Sequence, residues 1–419
     1  MTAIAQPGDS TPSSAAAVVV AAADTVQTSV AALTPLLAFA CFVNMVGTLA
    51  LSPFLPLIAD ELGTSVSVVG QISSTTMLLA AVLGLVAGPL GDRYGYRRSL
   101  VLGLTTATIS ALGLALAPAL VPLFAAGLFG AVGRSIVMPT AMATITTLVP
   151  DETTRRSAIS WIATGTTASP LIGIPLLTTL AAFTNWRVSL GLLGIVAGIM
   201  ALVLWKLLPR SPQAAQGPFR LRQLLRAYGP LLHHRPSVAL IAASLTTSIG
   251  VWGTFTYTAA FFVQIHGLDT AQVGLTYLVI GVGTVLGTRI VGSRLGAHPR
   301  LLLIAGRFVG GLAVLGALAL PVSVYVALGL LTVAALTSTM SMSSSNVMLA
   351  SDVPGGKGTA LTLHAAALSL GTALGAAAGG LVLALADYAA IGLMGLLFFW
   401  LSAILVWLFH HRASAARSA

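Results

Sequence analysis

The segment Gly88-Pro-Leu-Gly-Asp92-Arg93-Tyr-Gly95-Tyr-Arg97-Arg98 interrupts an otherwise apolar run, and its setting decides the fold. Apolar stretches flank it at 66–89 and 99–117. Each is long enough to cross a hydrocarbon core, which takes roughly 20 apolar residues as a helix. Charges are costly within hydrocarbon. The segment therefore reads as a turn at a membrane surface, with Gly95 permitting the reversal and Gly88 a close approach.

Working outward, similar stretches recur at 31–57, 120–148, 157–181 and 187–208, then at 237–263, 271–292, 301–319, 321–348, 358–384 and 387–409. With the first two they make twelve. The whole chain agrees: of 419 residues, 57% are hydrophobic and only 7% charged, with a mean hydropathy of +0.97. A soluble protein carries about 25% charged residues, so a soluble enzyme of two or three domains is excluded. The expected fold is an all-α membrane protein of twelve transmembrane helices in two pseudo-symmetric six-helix bundles.

The expected organisation is a disordered tail 1–30, a first bundle 31–208, a basic linker 209–236, a second bundle 237–410 and a tail 411–419. The N-terminal tail has no Lys or Arg before its short apolar run, so it does not read as a signal peptide. With both termini cytoplasmic, 18 of the 20 basic residues fall in inner loops or adjoining helix ends, Arg307 among them. The inverse topology would violate the positive-inside rule. A weak internal repeat supports duplication: Gly91-Asp92-Arg93-Tyr94-Gly95 returns as Gly292-Ser293-Arg294-Leu295-Gly296. Likewise Gly165, Ser169 and Gly173 in the fifth stretch return as Gly371, Gly375 and Gly379 in the eleventh.

The net charge of +10 comes from short clusters between apolar stretches, not from a continuous basic face. Nucleic acid is therefore not an expected partner. A lone cysteine, Cys41, excludes an internal disulfide. The histidines lack acidic or thiol partners, so no metal site and no cofactor are expected. Without a Gly-Lys-Ser/Thr loop or an intramembrane cluster of catalytic groups, the chain reads neither as an ATP-driven pump nor as an enzyme.

The opening segment resembles the cytoplasmic signature of the major facilitator superfamily, often called motif A, with Tyr96 in place of a usual basic residue. That resemblance implies a conformational latch built from Gly88, Asp92, Arg93, Gly95, Arg97 and Arg98. Asp92 would face a neighbouring helix N-terminus, and the basic pair would reach towards Asp151 and Glu152. The segment Gly165-Thr-Thr-Ala-Ser169-Pro170-Leu-Ile-Gly173-Ile174 is similar to the antiporter motif of drug exporters in that superfamily. Here Ser169 stands for the first glycine of the Gly-Pro pair and Ile174 for the last glycine. Asn185-Trp186-Arg187 also looks like the exporter pattern.

Arg134 lies near the centre of the fourth stretch, where a charge should face a cavity. It reads as an anchor for a substrate anion, a modulator of proton transfer, or a structural arginine bonded to carbonyls. All ten acidic residues fall in tails, loops or helix ends. Where cation exporters of the superfamily often carry a carboxylate in the first helix, this chain offers only Asn44. His364 is the titratable candidate within a span, as a proton switch or a packing residue. Polar and aromatic side chains, Trp252 and Tyr257 among them, suit a moderately apolar ligand.

The expected function is secondary active export of a small organic compound, neutral or anionic, by alternating access and in exchange for protons. The expected setting is a monomer in the cytoplasmic membrane. The alternative is uptake or facilitated diffusion of a sugar or organic anion by the same fold.

Overall fold

A computed structural model of the chain describes residues 33–149, 151–209, 234–291, 298–351 and 357–415. Within these, the side chains of 85–93, 156, 235–236, 350–362 and 409–415 are not described. Twelve helices are long and apolar enough to cross a membrane: α1 Leu33–Glu61, α2 Val66–Gly84, α3 Tyr96–Leu116, α4 Leu120–Leu148, α5 Glu152–Phe183, α6 Trp186–Leu207, α7 Ser237–His266, α8 Thr270–Val291, α9 Pro299–Ala319, α10 Val324–Leu349, α11 Leu363–Leu385 and α12 Tyr388–Leu408. Beyond these windows α2 continues to Tyr94, and α11 begins at Lys357. The tail 1–30, most of the linker 209–236, residues 416–419 and the repeat loop 292–296 lie outside the described residues.

Packing repeats with a shift of six helices. In the first half α3 packs on α4 and α6, and α2 on α4; in the second α9 packs on α10 and α12, and α8 on α10. The ends repeat as well. Ser65 caps α2 through Val68 N–H at 3.3 Å, and Asp269 caps α8 through Gln272 N–H at 2.8 Å. Asn185 caps α6 through Val188 N–H at 2.8 Å, and Asp387 caps α12 through Ala390 N–H at 2.9 Å. Each cap satisfies an amide that the helix start leaves without a partner. Two six-helix bundles related by pseudo-symmetry follow.

The glycine stripes read from the sequence are the places where helices nearly touch. A Cβ on Gly165 would stand 2.4 Å from the carbonyl oxygen of Ala38, and one on Gly173 2.2 Å from a Val46 methyl. Between them the buried Ser169 hydroxyl donates to the Phe42 carbonyl at 3.1 Å. In the second half, a Cβ on Gly371, Gly375 or Gly379 would meet the carbonyls of Leu245, Ile249 and Gly253 at 2.4–2.5 Å. Small residues at four-residue spacing thus press α5 onto α1 and α11 onto α7 along matched faces.

Three of these helices are interrupted. Before its last turns α1 breaks into a short 3₁₀ segment at Ser52–Phe54, and α7 breaks at Thr256–Tyr257. Around Pro170, α5 widens into a π-helical turn over Ser169–Gly173, as expected where proline removes one intrahelical hydrogen bond. Gly95 adopts φ +86° between α2 and α3, a backbone that glycine takes up without a Cβ penalty.

Candidate functional site

The two halves meet tightly at the end of the molecule that carries the α1–α2 turn at Gly63. There α2 packs on α11, the second half of α5 on α8, and the last turns of α1 on those of α7. Hydrogen bonds cross this seam. At the break in α1, the Ser52 hydroxyl meets the carbonyls of Thr256 at 2.8 Å and Phe255 at 3.2 Å, where α7 is interrupted, and the Tyr277 hydroxyl at 2.9 Å. The amide of Gln71 donates to the Ala377 carbonyl at 3.2 Å, and the Ser67 hydroxyl donates to the Gly380 carbonyl. Towards the opposite end, which carries Gly95, the first half of α5 has no comparable packing against α10 among the described residues, nor does α4 against α11.

Two small cavities lie beside the seam. One, of about 40 Å³, sits inside the first six helices and is walled by Asn44, Ser73, Thr76, Ser110 and Arg134 among apolar neighbours. The other, of about 10 Å³, lies between the halves, walled by Thr48, Ser52, Ser73, Trp252, Phe255 and Thr372. Ser73 belongs to both walls. Each is of a size for water rather than for an organic molecule.

Arg134 stands at the midpoint of α4. Its Nη2 reaches the carbonyls of Gly47 and Thr48, both at 3.4 Å, beyond ordinary hydrogen-bond length. Its Nη1 is shielded from solvent and has no hydrogen-bond partner. The side chain thus retains unused donor capacity beside a polar-walled cavity, with Asn44 on the same wall.

The other expected site residues are placed as follows. Trp252 lines the cavity between the halves and meets the Phe255 ring edge-on, at 5.5 Å between centroids; Phe255 meets Tyr277 in the same way at 5.3 Å. Tyr257 is buried, and its hydroxyl donates to the Ala376 carbonyl at 3.0 Å, tying α7 to α11. His364 is buried near the other end of α11, away from both cavities. The structure therefore joins Asn44 to Arg134 and sets Trp252 close by, while His364 stands apart.

Of the motif at the Gly95 end, Gly88, Asp92 and Arg93 have side chains outside the described residues. Arg98 is exposed, and the Arg97 guanidinium lies over the Trp205 ring of α6 at 4.5 Å. Asp151 accepts the Thr154 N–H at 2.7 Å and the Thr153 hydroxyl at 2.6 Å, capping α5, while Glu152 pairs with Arg155. At the Gly63 end, Glu61 accepts from Arg187 at 2.8 Å and from the Trp186 ring N–H at 2.7 Å. Among the described residues no group of His, Cys, Asp or Glu could hold a metal ion.

Sequence reasoning missed two features. The Ser52–Tyr277 contact joins residues 225 apart, and only Pro53 and Pro56 hinted at a break in α1. Arg307, expected at an inner helix end, is instead 1% exposed in the interior of α9. Its signal was present in Gly306-Arg307-Phe308, a charge set within an apolar run.

Comparison with known proteins gives the family. An MFS-type transporter of Bacillus subtilis is 27% identical over 258 residues, 60% of this chain and 64% of that protein. A probable sugar efflux transporter of Helicobacter pylori is 28% identical over 147 residues, 35% of this chain and 36% of that one. These two matches thus span under two thirds of the relatives' lengths. A chloramphenicol efflux pump of Mycobacterium tuberculosis is 28% identical over 380 residues, 87% of this chain and 89% of the pump. The fold resembles a bacterial homologue of the human lysosomal transporter Spinster in an inward-facing, unoccupied conformation. The TM-score is 0.70 at 16% identity, over 91% of this chain and 95% of that one. The profile of the Major Facilitator Superfamily matches residues 37–363, and the chain belongs to that superfamily, a family of multi-pass membrane transporters rather than enzymes.

Proposed function

We propose that the protein exports a small organic compound, neutral or anionic, across the cytoplasmic membrane by alternating access, in exchange for protons. In this reading it acts as a monomer, with residues 31–208 and 237–410 as the moving halves and 209–236 as the linker. The Gly95 end and both termini face the cytoplasm, as the distribution of arginines favours. The arrangement described above is then the inward-open state, sealed outside by Ser52, Ser67 and Gln71.

One observation carries the choice of substrate: the walls of both central cavities hold hydroxyls, an amide, aromatic rings and the Arg134 guanidinium, and no carboxylate. A permanently cationic compound would meet like charge in a low-dielectric interior. An anion or a hydrogen-bonding neutral molecule would be welcomed. Efflux names among the relatives, one for chloramphenicol and others for sugars, support export of such compounds. In the proposed cycle Arg134, Asn44, Trp252 and Tyr257 attend the substrate. The proton is carried by His364, by Asp92 or by the substrate itself.

The test is accumulation in an exporter-deficient host with and without the gene, using chloramphenicol, a carboxylate-bearing drug and a quaternary ammonium dye. Reduced accumulation of the first two and little change in the dye supports the proposal. Export confined to the dye refutes it.

A further inference from the structure

The cavity of about 40 Å³ inside the first six helices holds more hydrogen-bond donors than its own walls use. Arg134 Nη1 is shielded from solvent and has no partner, and Nη2 reaches only the Gly47 and Thr48 carbonyls, at 3.4 Å. Asn44 is engaged through its backbone carbonyl, which accepts from the Thr48 hydroxyl at 3.0 Å. Its side-chain amide and the hydroxyls of Ser73 and Ser110, all on the same wall, donate to no protein group among the described residues. Only Thr76 is committed, to the Ile72 carbonyl at 2.6 Å.

Helix α4 makes the room. Gly127, Gly130 and Arg134 follow one of its faces at spacings of three and four residues, and all three line the cavity. A Cβ on Gly127 would stand 2.8 Å from an Ile72 methyl, and one on Gly130 2.8 Å from the Ser110 hydroxyl oxygen. Side chains there would close the space. What remains is roughly three times the volume one water needs, too little for an organic compound. The described wall brings no carboxylate, and the side chains of α2 that are not described begin at residue 85, about 13 Å along the helix from Thr76. A desolvated guanidinium without a counter-charge costs several kcal/mol, and an orphaned buried donor calls for a partner. Water would satisfy the hydrogen bond but bring no charge. An occupant that answers both demands is negative, compact and able to accept from several donors at once.

We propose that, when no substrate is bound, this cavity holds a small inorganic anion of chloride size, paired with Arg134 and held by Asn44, Ser73 and Ser110. Ser73 also walls the cavity between the halves, so the two spaces adjoin. The acid group of an anionic substrate displaces the ion across that wall, a step that rests on the export reading above; the ion site does not.

The test uses the purified full chain in detergent without substrate, its unfolding midpoint followed at constant ionic strength as gluconate is replaced by chloride. A dissociation constant of about 10 mM predicts a saturable rise of about 2 °C by about 100 mM chloride. The rise disappears in Arg134→Met. Should that variant fail to fold, Asn44→Leu removes the amide donor and moves half-saturation roughly tenfold higher. Equal midpoints in gluconate and chloride would overturn the proposal. So would a rise that survives unchanged in the variants, since that places the anion elsewhere. For displacement, a carboxylate-bearing drug should bind roughly tenfold more weakly in about 100 mM chloride than in gluconate, while chloramphenicol binds equally in both. A carboxylate drug indifferent to chloride would overturn the displacement. Binding of neither compound would refute the export reading and not the ion site, which the midpoints alone decide.

Discussion

Arg134 and Gly375 show how much a single position decides. Arg134 makes only two long contacts to carbonyls, so one of its nitrogens is free for a ligand. Arg134→Ala should weaken binding of an anionic substrate by roughly tenfold to a hundredfold, the range for a charged hydrogen bond. A neutral substrate should lose far less, and binding titrations on the purified protein read the difference. Equal losses would mark Arg134 as a structural tie. Gly375 is a matter of space: an added Cβ would stand 2.4 Å from the Ile249 carbonyl oxygen, and a backbone atom yields less readily than a side chain. Gly375→Val should destabilise the second bundle by about 1–3 kcal/mol, visible as a lower unfolding midpoint. Arg134 could be found in the sequence because a lone charge amid apolar residues stands out. Arg307 carried the same sign but was counted with the loops. Its burial depends on α10 and α12 converging on it, which no local pattern records.

Helix ends explain where the acids went. Asp151, Asp269 and Asp387 cap α5, α8 and α12, and Glu61 holds Arg187, so these carboxylates stay at the membrane boundary. Hydrogen bonds from Thr153 first, then from Thr154, hold the Asp151 carboxyl down at about 2. A depressed pKa contributes stability above the unfolded value and loses it as pH falls through the folded one. The gap in unfolding midpoint between wild type and Asp151→Ala should therefore be constant above about pH 4 and close towards about pH 2. A gap unchanged by acid would mean the charge adds nothing. Asp92, in the last turns of α2, belongs to the proposed latch. Asp92→Asn should impair transport while leaving membrane abundance near normal, measured by uptake into vesicles and by immunoblot; full transport would leave the segment a role in topology alone. Helix positions were legible because twenty apolar residues in a row admit little else. The expected 120–148 matches α4, and 301–319 differs from α9 by two residues at its start. The break in α1 was hinted at only by Pro53 and Pro56, and the break in α7 was not legible, since the two meet each other across the seam.

Across the whole molecule, the duplicated spacing of glycines correctly announced two related halves, but not which surfaces they turn to each other. That choice rests on pairs such as Ser67 with Gly380, 313 residues apart. If the seam at the Gly63 end opens and closes in each cycle, locking it should stop transport. A Ser67→Cys/Gly380→Cys protein, cross-linked by an oxidant, should lose transport and regain it on reduction. The native Cys41 is 1% exposed and should not interfere. Transport that persists while the link is intact would show that the seam need not part. The halves are alike in their close-packed stripes but not in stiffness. Over Ser169–Gly173 α5 carries a widened turn with a proline, whereas α11 runs without interruption from Lys357 to Leu385. In the proposed cycle α5 and α11 are thus unequal lever arms: under the same load α5 would yield at its widened turn while α11 would transmit the load along its length.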